Sequence, residues 1–307
     1  MPSPVISHMH LKEQARRLGF LACGVAPAHS LPLEHCRYYE QWLKQGFHAD
    51  MHYLEQHIPL RFSPAKLVPG ARSVICVALS YHPADAPTQP ALAWYAQGKD
   101  YHQVLRKRLQ LLQQQLQVEG RCFADTAPIL EKYWAQQSGI GFIGRHTQLV
   151  IPGVGSAFFL GELITDAEFD AYDTPIAFRQ HPCGTCRKCL DACPTKALNG
   201  SSLNATRCIS YHTIESRESD LPDFVKPHLS PCFYGCDRCL RACPHLHAPQ
   251  QPDAEFTANA QLLRMDAEKW KELSEPDYRN LFQGSAVKRA KFEGLLRNIH
   301  ASLLSEK

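Results

Sequence analysis

No stretch of this chain approaches the roughly 20 consecutive apolar residues that a membrane-spanning helix needs. The opening MPSPVISHMHLKEQARRLGF carries charges where a secretory leader would carry its apolar core. Neither membrane insertion nor export is expected, and the cytoplasm is the expected location. An excess of one charge is lacking too: 33 lysines and arginines stand against 30 aspartates and glutamates, a formal net charge of +3. That balance permits contact with a polyanion but falls short of the bias of a dedicated nucleic-acid binder. The phosphate-loop pattern GxxxxGK[ST] is missing, so that route to nucleotide phosphates lacks its signature. GIGFIG at 139–144 matches GxGxxG, yet it follows a helical pattern, whereas a dinucleotide fingerprint follows a strand and opens a helix. The match is expected to be fortuitous.

What the chain does have is cysteine, thirteen in 307 residues. Without an export signal this points to a reducing compartment, where clustered thiols bind metal more often than they form disulfides. Cys23, Cys36, Cys76 and Cys122 are scattered and read as small buried residues, while the other nine crowd between Cys183 and Cys243. Residues 183–194 read CGTCRKCLDACP. Paired CxxC units also build tetrahedral zinc sites. A third cysteine after only two residues, and a closing Cys-Pro, are instead the run of two-cluster ferredoxins, in which three thiolates hold one cubane and the fourth reaches the other. CDRCLRACP and the isolated Cys208 supply the remaining ligands. Cys183, Cys186, Cys189 and Cys243 are assigned to one 4Fe-4S cluster, and Cys193, Cys208, Cys236 and Cys239 to a second. Cys232 is left over, and its place four residues before Cys236 makes it the competitor for that ligand role.

Elsewhere helical and strand patterns mix, an α/β (α+β) reading. LKEQARRLGF spaces Leu11, Ala15 and Leu18 at helical intervals and runs into LACGVA, a strand candidate. Helices are expected between Glu34 and Glu55, a strand from Ser73 to Tyr81, and a helix over 101–118 with Val104, Leu105, Leu109, Leu112 and Leu116 on one face. RCFADTAP reads as a strand ending near Asp125, ILEKYWAQQSG as a helix, and QLVI and AFFLGELIT as strands. A polar, proline-bearing stretch at 166–182 marks a boundary, and helices dominate from Phe256 onward. The expected domains are 1–170, a two-cluster region at 171–250, and a helical segment at 251–307.

Two clusters form an electron relay, and a plain carrier would need only the cysteine-rich part. About 180 residues precede it here. The DxHxxG run that supplies a histidine to cobalt is absent, since neither DMHYLE at Asp50 nor DYHQVL at Asp100 completes it. RFSPAKLVPGARSVI, YAQGKDYH, DTAPILEKYWAQQSGIGFIGRHTQLV, GSAFFLGELITD, the two cysteine runs, RCISYHTIE and GSAVKRAKFEGLLRN nevertheless occur in one order that closely resembles the epoxyqueuosine reductases, over roughly residues 51–300.

The resemblance implies a cytosolic cobalamin enzyme related to the reductive dehalogenases. A nitroreductase-like domain would cradle base-off cobalamin beside a ferredoxin-like domain with two 4Fe-4S clusters and C-terminal helices, in keeping with the missing DxHxxG. The implied reaction removes the epoxide oxygen of epoxyqueuosine at the wobble position of tRNA, with electrons passing from an external donor through the clusters to cobalt. Asp125, in the DTAP motif, is implied as the proton donor beside cobalamin, its carboxyl kept protonated by desolvation against the corrin. Without the resemblance, an aspartate ahead of a helix reads as an N-cap. The matching motifs also carry over Arg61, Tyr95, Arg145, His146, Ser156, Gly161 and Ser210 as cobalamin contacts.

Departures from the family pattern are Phe142 and Arg145, where many members have tryptophan and lysine, and His245 and Leu246 after the last cysteine. The helical-repeat extension of longer members does not follow GLLRN. In the closing helix Lys288, Arg289, Lys291 and Arg297 are candidates for tRNA phosphates, with Glu293 interrupting the patch. Two other readings stay open. One is a corrinoid reductase of a small molecule, although Arg16-Arg17 lacks the apolar segment of a twin-arginine signal. The other is a non-catalytic ferredoxin-type electron-transfer module.

Overall fold

Four strands, Ala22–Pro27, Ser73–Ser80, Phe158–Thr165 and Gly120–Phe123 in that spatial order, form a sheet in which every neighbouring pair is antiparallel. The computed structural model describes residues 5–83, 91–247 and 253–304. Every residue of Ser73–Ser80 is buried, which explains why SVICVALS does not alternate: helices cover both faces of the sheet. On one face Leu11 and Ala15 of helix His8–Arg17, with Leu105, Leu109 and Leu112 of helix Tyr101–Leu116, pack on Val25, Ile75, Val77 and Leu163. On the other, Tyr133, Trp134 and Ala135 of helix Glu131–Gln137 pack on Cys76, Ala78, Phe123 and Ile164.

Helix Tyr101–Leu116 opens at Asp100, whose carboxylate accepts the His102 backbone N–H at 3.1 Å, and stops where Gln117 turns left-handed at φ 54°. This is why it ends short of residue 118. Gly161 faces it. A Cβ there would lie 3.0 Å from Leu109 Cδ1 and 3.3 Å from Leu105 Cδ2, so the glycine lets the helix lie close on the sheet. The space a side chain would fill there is taken by two core leucines, so any contact of Gly161 with cobalamin would be through its backbone.

The GIGFIG segment supplies strand Phe142–Ile143, paired antiparallel with Leu149–Val150. A hairpin, not a strand-to-helix turn, occupies the GxGxxG match. In the cysteine-rich part, the short helices Lys188–Asp191 and Arg238–Arg241 lie against each other. The closing helix Lys291–Leu304 packs on helix Ile209–Ile214. One core, including Leu92, Ile214, Tyr234, Trp270, Phe282 and Leu295, draws on all three expected regions. Among the described residues no helix is long and apolar enough to cross a membrane.

Gly161→Val is expected to destabilise the fold by about 1–3 kcal/mol through overpacking against Leu105 and Leu109. Thermal denaturation would show this as a lowered midpoint.

Candidate active site and cluster segment

Cys183, Cys186, Cys189 and Cys243 line one cavity of about 70 Å³, closed by His146, Pro182, Pro244 and His245. Cys193, Cys208, Cys236 and Cys239 gather in a second group. Burial pushes the Cys239 thiol up and the sulfurs of Cys236, Cys208 and Cys193 push it further. Burial likewise raises Cys208 to about 11, with Cys236 and Cys193 adding to it, against backbone N–H groups of Tyr211 and Ser210 that lower it. Ser210 therefore meets a candidate ligand sulfur through its backbone. Thiols that penalise one another's ionisation in this way suit a metal centre that replaces their protons. None of the thirteen cysteines is in a disulfide. The leftover Cys232 donates its S–H to the carbonyls of Tyr234 at 3.4 Å and Gly235 at 3.8 Å, and burial with nearby Asp237 raises it to about 12. Its own turn holds that thiol, which favours Cys236 as the ligand.

The sheet domain meets this segment along a seam. There the Trp94 backbone N–H donates to Asp237 Oδ2 at 2.7 Å, Arg145 donates to the Gly184 carbonyl at 2.8 Å, and Trp94 and Ala157 pack on Leu240. Trp94 Nε1, Arg145 Nε, His146 Nε2 and Ser156 Oγ are buried along it without a hydrogen-bond partner among the described residues. His146 Nδ1 accepts the Gln148 N–H at 3.1 Å, and burial, with Lys132 and His245 nearby, lowers the ring to about 4. The ring is thus neutral and its orphaned Nε2 carries a hydrogen. Buried polar atoms rarely go unpaired, so this set fits a large cofactor with a polar edge. Tyr95 lies in an aromatic cluster with Tyr101, Phe159 and Tyr234. Arg61 is buried and donates to the carbonyls of Tyr53 at 3.0 Å and Gln56 at 3.4 Å, which braces that loop.

Asp125 follows strand Gly120–Phe123 with a left-handed φ of 58°. Its Oδ2 accepts the Tyr101 hydroxyl at 2.5 Å and lies 3.3 Å from His102 Nε2, while its backbone N–H donates to Glu131 Oε1 at 2.7 Å. It is no helix cap, because the next helix begins at Glu131 with Leu130 at the cap position. His102 Nδ1 faces Asp100 Oδ1 at 2.6 Å, and the Tyr101 ring stacks on Phe159 at 4.2 Å. Burial pulls the His102 ring down, but its hydrogen bonds to Asp100 and Asp125, and their charges, outweigh this and raise it to about 9. Burial pushes the Asp125 carboxyl up, while hydrogen bonds from His102 and Tyr101 and the charges of His102 and Arg289 hold it below the ordinary range. These contacts favour the ionised form of Asp125 over the protonated form expected beside the corrin. The side chain is 56% exposed, and at neutral pH the proton sits on His102 Nε2, pointing at the carboxylate.

Arg289 stands near this site, clasping the Glu215 carboxylate at 2.6–3.1 Å and lying 5.7 Å from the centre of the Tyr53 ring. Lys288 and Lys291 are exposed. Arg297 is not available for phosphate: it is half-buried and donates to the carbonyls of Glu218 at 2.6 Å, His212 at 2.7 Å and Ser216 at 3.3 Å. Sequence reasoning passed over Tyr101, His102, Glu131 and Glu162. The signals were a histidine flanked by acids in DYH at a helix start, and a lone glutamate inside the apolar run AFFLGELIT.

Two sets of cluster-type thiols packed on a sheet domain that carries an exposed carboxylate–imidazole acid site define an iron–sulfur oxidoreductase. Residues 61–126 match the family described as epoxyqueuosine reductase QueG, DUF1730, and 182–246 match the 4Fe-4S double cluster binding domain. Epoxyqueuosine reductase of Cellulophaga algicola is 39% identical, over 94% of this chain and 95% of that protein. That of Pseudomonas aeruginosa is 36% identical, over 98% and 86%. The chain belongs to the epoxyqueuosine reductase family. Among solved structures, an epoxyqueuosine reductase with an epoxyqueuosine-modified tRNA stem loop superposes with a TM-score of 0.84 at 28% identity, covering 96% of this chain and 80% of that one. A Bacillus subtilis epoxyqueuosine reductase, its catalytic loop swung out of the active site, gives 0.82 at 28% identity, with the same coverage.

Cys208→Ser is expected to lower bound iron from about eight to about four per chain, whereas Cys232→Ser leaves it at about eight. Iron analysis of anaerobically purified variants would decide between Cys232 and Cys236 as ligand.

Proposed function

We propose that this chain reduces epoxyqueuosine to queuosine in tRNA, using two 4Fe-4S clusters, cobalamin and an external electron donor. The observation that carries the reading is the acid site: an exposed carboxylate held by Tyr101 and charged by His102, beside a seam of unpaired buried donors and two sets of four thiols. Relatives of the same name over nearly the whole chain support it, as does the solved relative with a modified tRNA stem loop. The cytoplasm, where tRNA is found, is the proposed location.

The chemistry sets the demands. Turning an epoxide into an alkene breaks both C–O bonds and releases the oxygen as water, consuming two electrons and two protons. Cobalamin, held along the seam by residues such as Arg145, His146 and Ser156, supplies the reducing centre when bound. The protons are the protein's task. Asp125 Oδ2 takes the proton from His102 Nε2 and presents it to the departing oxygen, while the Tyr101 hydroxyl steadies the carboxylate. Asp100 holds the His102 ring by Nδ1, so the ring keeps its orientation after giving up the Nε2 proton. The exposed side of Asp125 lets solvent restore the second proton. Lys288, Lys291 and Arg289 offer charge to the tRNA backbone, which supplies affinity more than sequence discrimination.

Cluster-loaded protein with added cobalamin is expected to convert epoxyqueuosine in tRNA to queuosine anaerobically; absence of conversion with iron and corrin both bound overturns the reading. Asp125→Ala should lower kcat by about 10²–10⁴ without changing iron or corrin content. His102 is charged below about 9 and loses its proton as pH rises through that value, so wild-type kcat should fall across that interval. In His102→Gln the same limb should be missing from the pH profile.

A further inference from the structure

Beneath Asp125 lie two carboxyls for which the reaction has no use. Glu162, in the middle of strand Phe158–Thr165, is fully buried, and neither of its carboxyl oxygens has a hydrogen-bond donor among the described residues. It stands opposite Cys76 on one neighbouring strand and Phe123 on the other. The strand alternates, so with Gly161 turned to helix Tyr101–Leu116, Glu162 points to the other face, under helix Glu131–Gln137. Glu131 opens that helix and lies within hydrogen-bonding reach of Glu162. Its Oε1 is also the atom that accepts the Asp125 N–H.

Two ionised carboxylates side by side in a dry core repel each other and leave their oxygens unsolvated. One proton held between them removes the repulsion and supplies the missing donor. The other ionisable groups facing the pair do not take over that task. Lys132, on the same helix, points its ammonium at the Thr147 carbonyl. The Cys76 thiol is itself pushed well up, by burial and then by Glu162. Asp125 and Tyr101 are engaged with each other.

We propose that Glu131 and Glu162 share one proton and act together as a latch on the Asp125 loop. Glu162 donates to Glu131, and Glu131 holds the Asp125 N–H in the left-handed turn that aims its carboxylate at Tyr101 and His102. Aspartate visits that turn more readily than most residues but still at some cost, and the Glu131 acceptor is a contact that favours it. Both residues position Asp125 and neither touches substrate. The functional meaning of the latch rests on the role of Asp125 proposed above, whereas its existence is testable without substrate.

Burial, and then the charges of neighbouring carboxylates, hold the pair's proton well above the ordinary carboxylate range. Glu131 is raised to about 7 and Glu162 well above the usual range, so the pair gives up its first proton near 7 and keeps the shared one, whose contribution to stability is lost only as pH rises through the Glu162 ionisation. The test is amide hydrogen exchange over residues 124–127 in cluster-loaded protein without tRNA, from pH 6 to pH 9, corrected for the intrinsic pH dependence of exchange. Wild-type protection is expected to rise about tenfold as Glu131 gives up its own proton near 7, and then to hold to pH 9 because the Glu162 proton stays in place. Glu131→Gln should abolish the rise, because its amide does not titrate, whereas Glu162→Gln should keep it, because that amide donates to Glu131 at every pH. Protection that is flat or falling with pH in the wild type overturns the shared proton without recourse to any variant, and so does a Glu131→Gln protein that keeps the wild-type slope. Turnover is not read, so failure of the tRNA reading and failure of the latch are distinguishable.

Discussion

The interlock of the two thiol sets is the constraint on which the rest of the arrangement depends. Each cysteine run gives thiols to both groups: Cys193 leaves its own run for the set of Cys208, Cys236 and Cys239, and Cys243 leaves its own for the cavity of Cys183, Cys186 and Cys189. That exchange requires the short helices Lys188–Asp191 and Arg238–Arg241 to lie against each other. With the two runs tied, the residues just after them are set as well. His245 packs on Phe142, and the Leu246 backbone would meet a Cβ at Gly155 at 2.7 Å, closing the seam with the sheet domain.

The acid site is governed by competition between burial and hydrogen bonding, and bonding wins. His102 sits between two carboxylates, so it keeps its proton despite partial burial, and Asp125 stays ionised because that proton faces it. At Glu162 the balance reverses. It is fully buried with no hydrogen-bond donor among the described residues, so burial pushes its carboxyl well up. One strand and one helix start thus carry neighbouring carboxyls of opposite charge state, separated by their access to solvent and to donors.

Much of this was legible residue by residue. The apolar run at Ser73–Ser80, the leucine stripe of the 101–116 helix and the failure of GIGFIG as a dinucleotide turn all follow from local pattern, because period and flanking residues report whether a segment is covered on one face or two. The spacing of the cysteine runs sorts the thiols into two sets, and the chain folds so that the same sets lie together. The side-chain roles were less accessible. Arg297 and Arg61 look like free surface charge in the text, yet both are spent on backbone carbonyls of segments distant in sequence or folded back by a turn. Gly161 looks like a strand-end glycine near a cofactor, and is a packing site for a helix 50 residues earlier.

By itself the sequence determined the element types, the cysteine inventory and the family, since each depends on the order and spacing of residues along the chain. Only the tertiary structure decided where protons and charges are favoured: that His102 and Tyr101 favour the ionised form of Asp125, that Glu162 is buried with no hydrogen-bond donor among the described residues, and that Cys232 is held in its own turn. The physical reason is that a titrating group's state is set by dielectric and by neighbours brought from other elements. Neither is encoded in the few residues on either side of it.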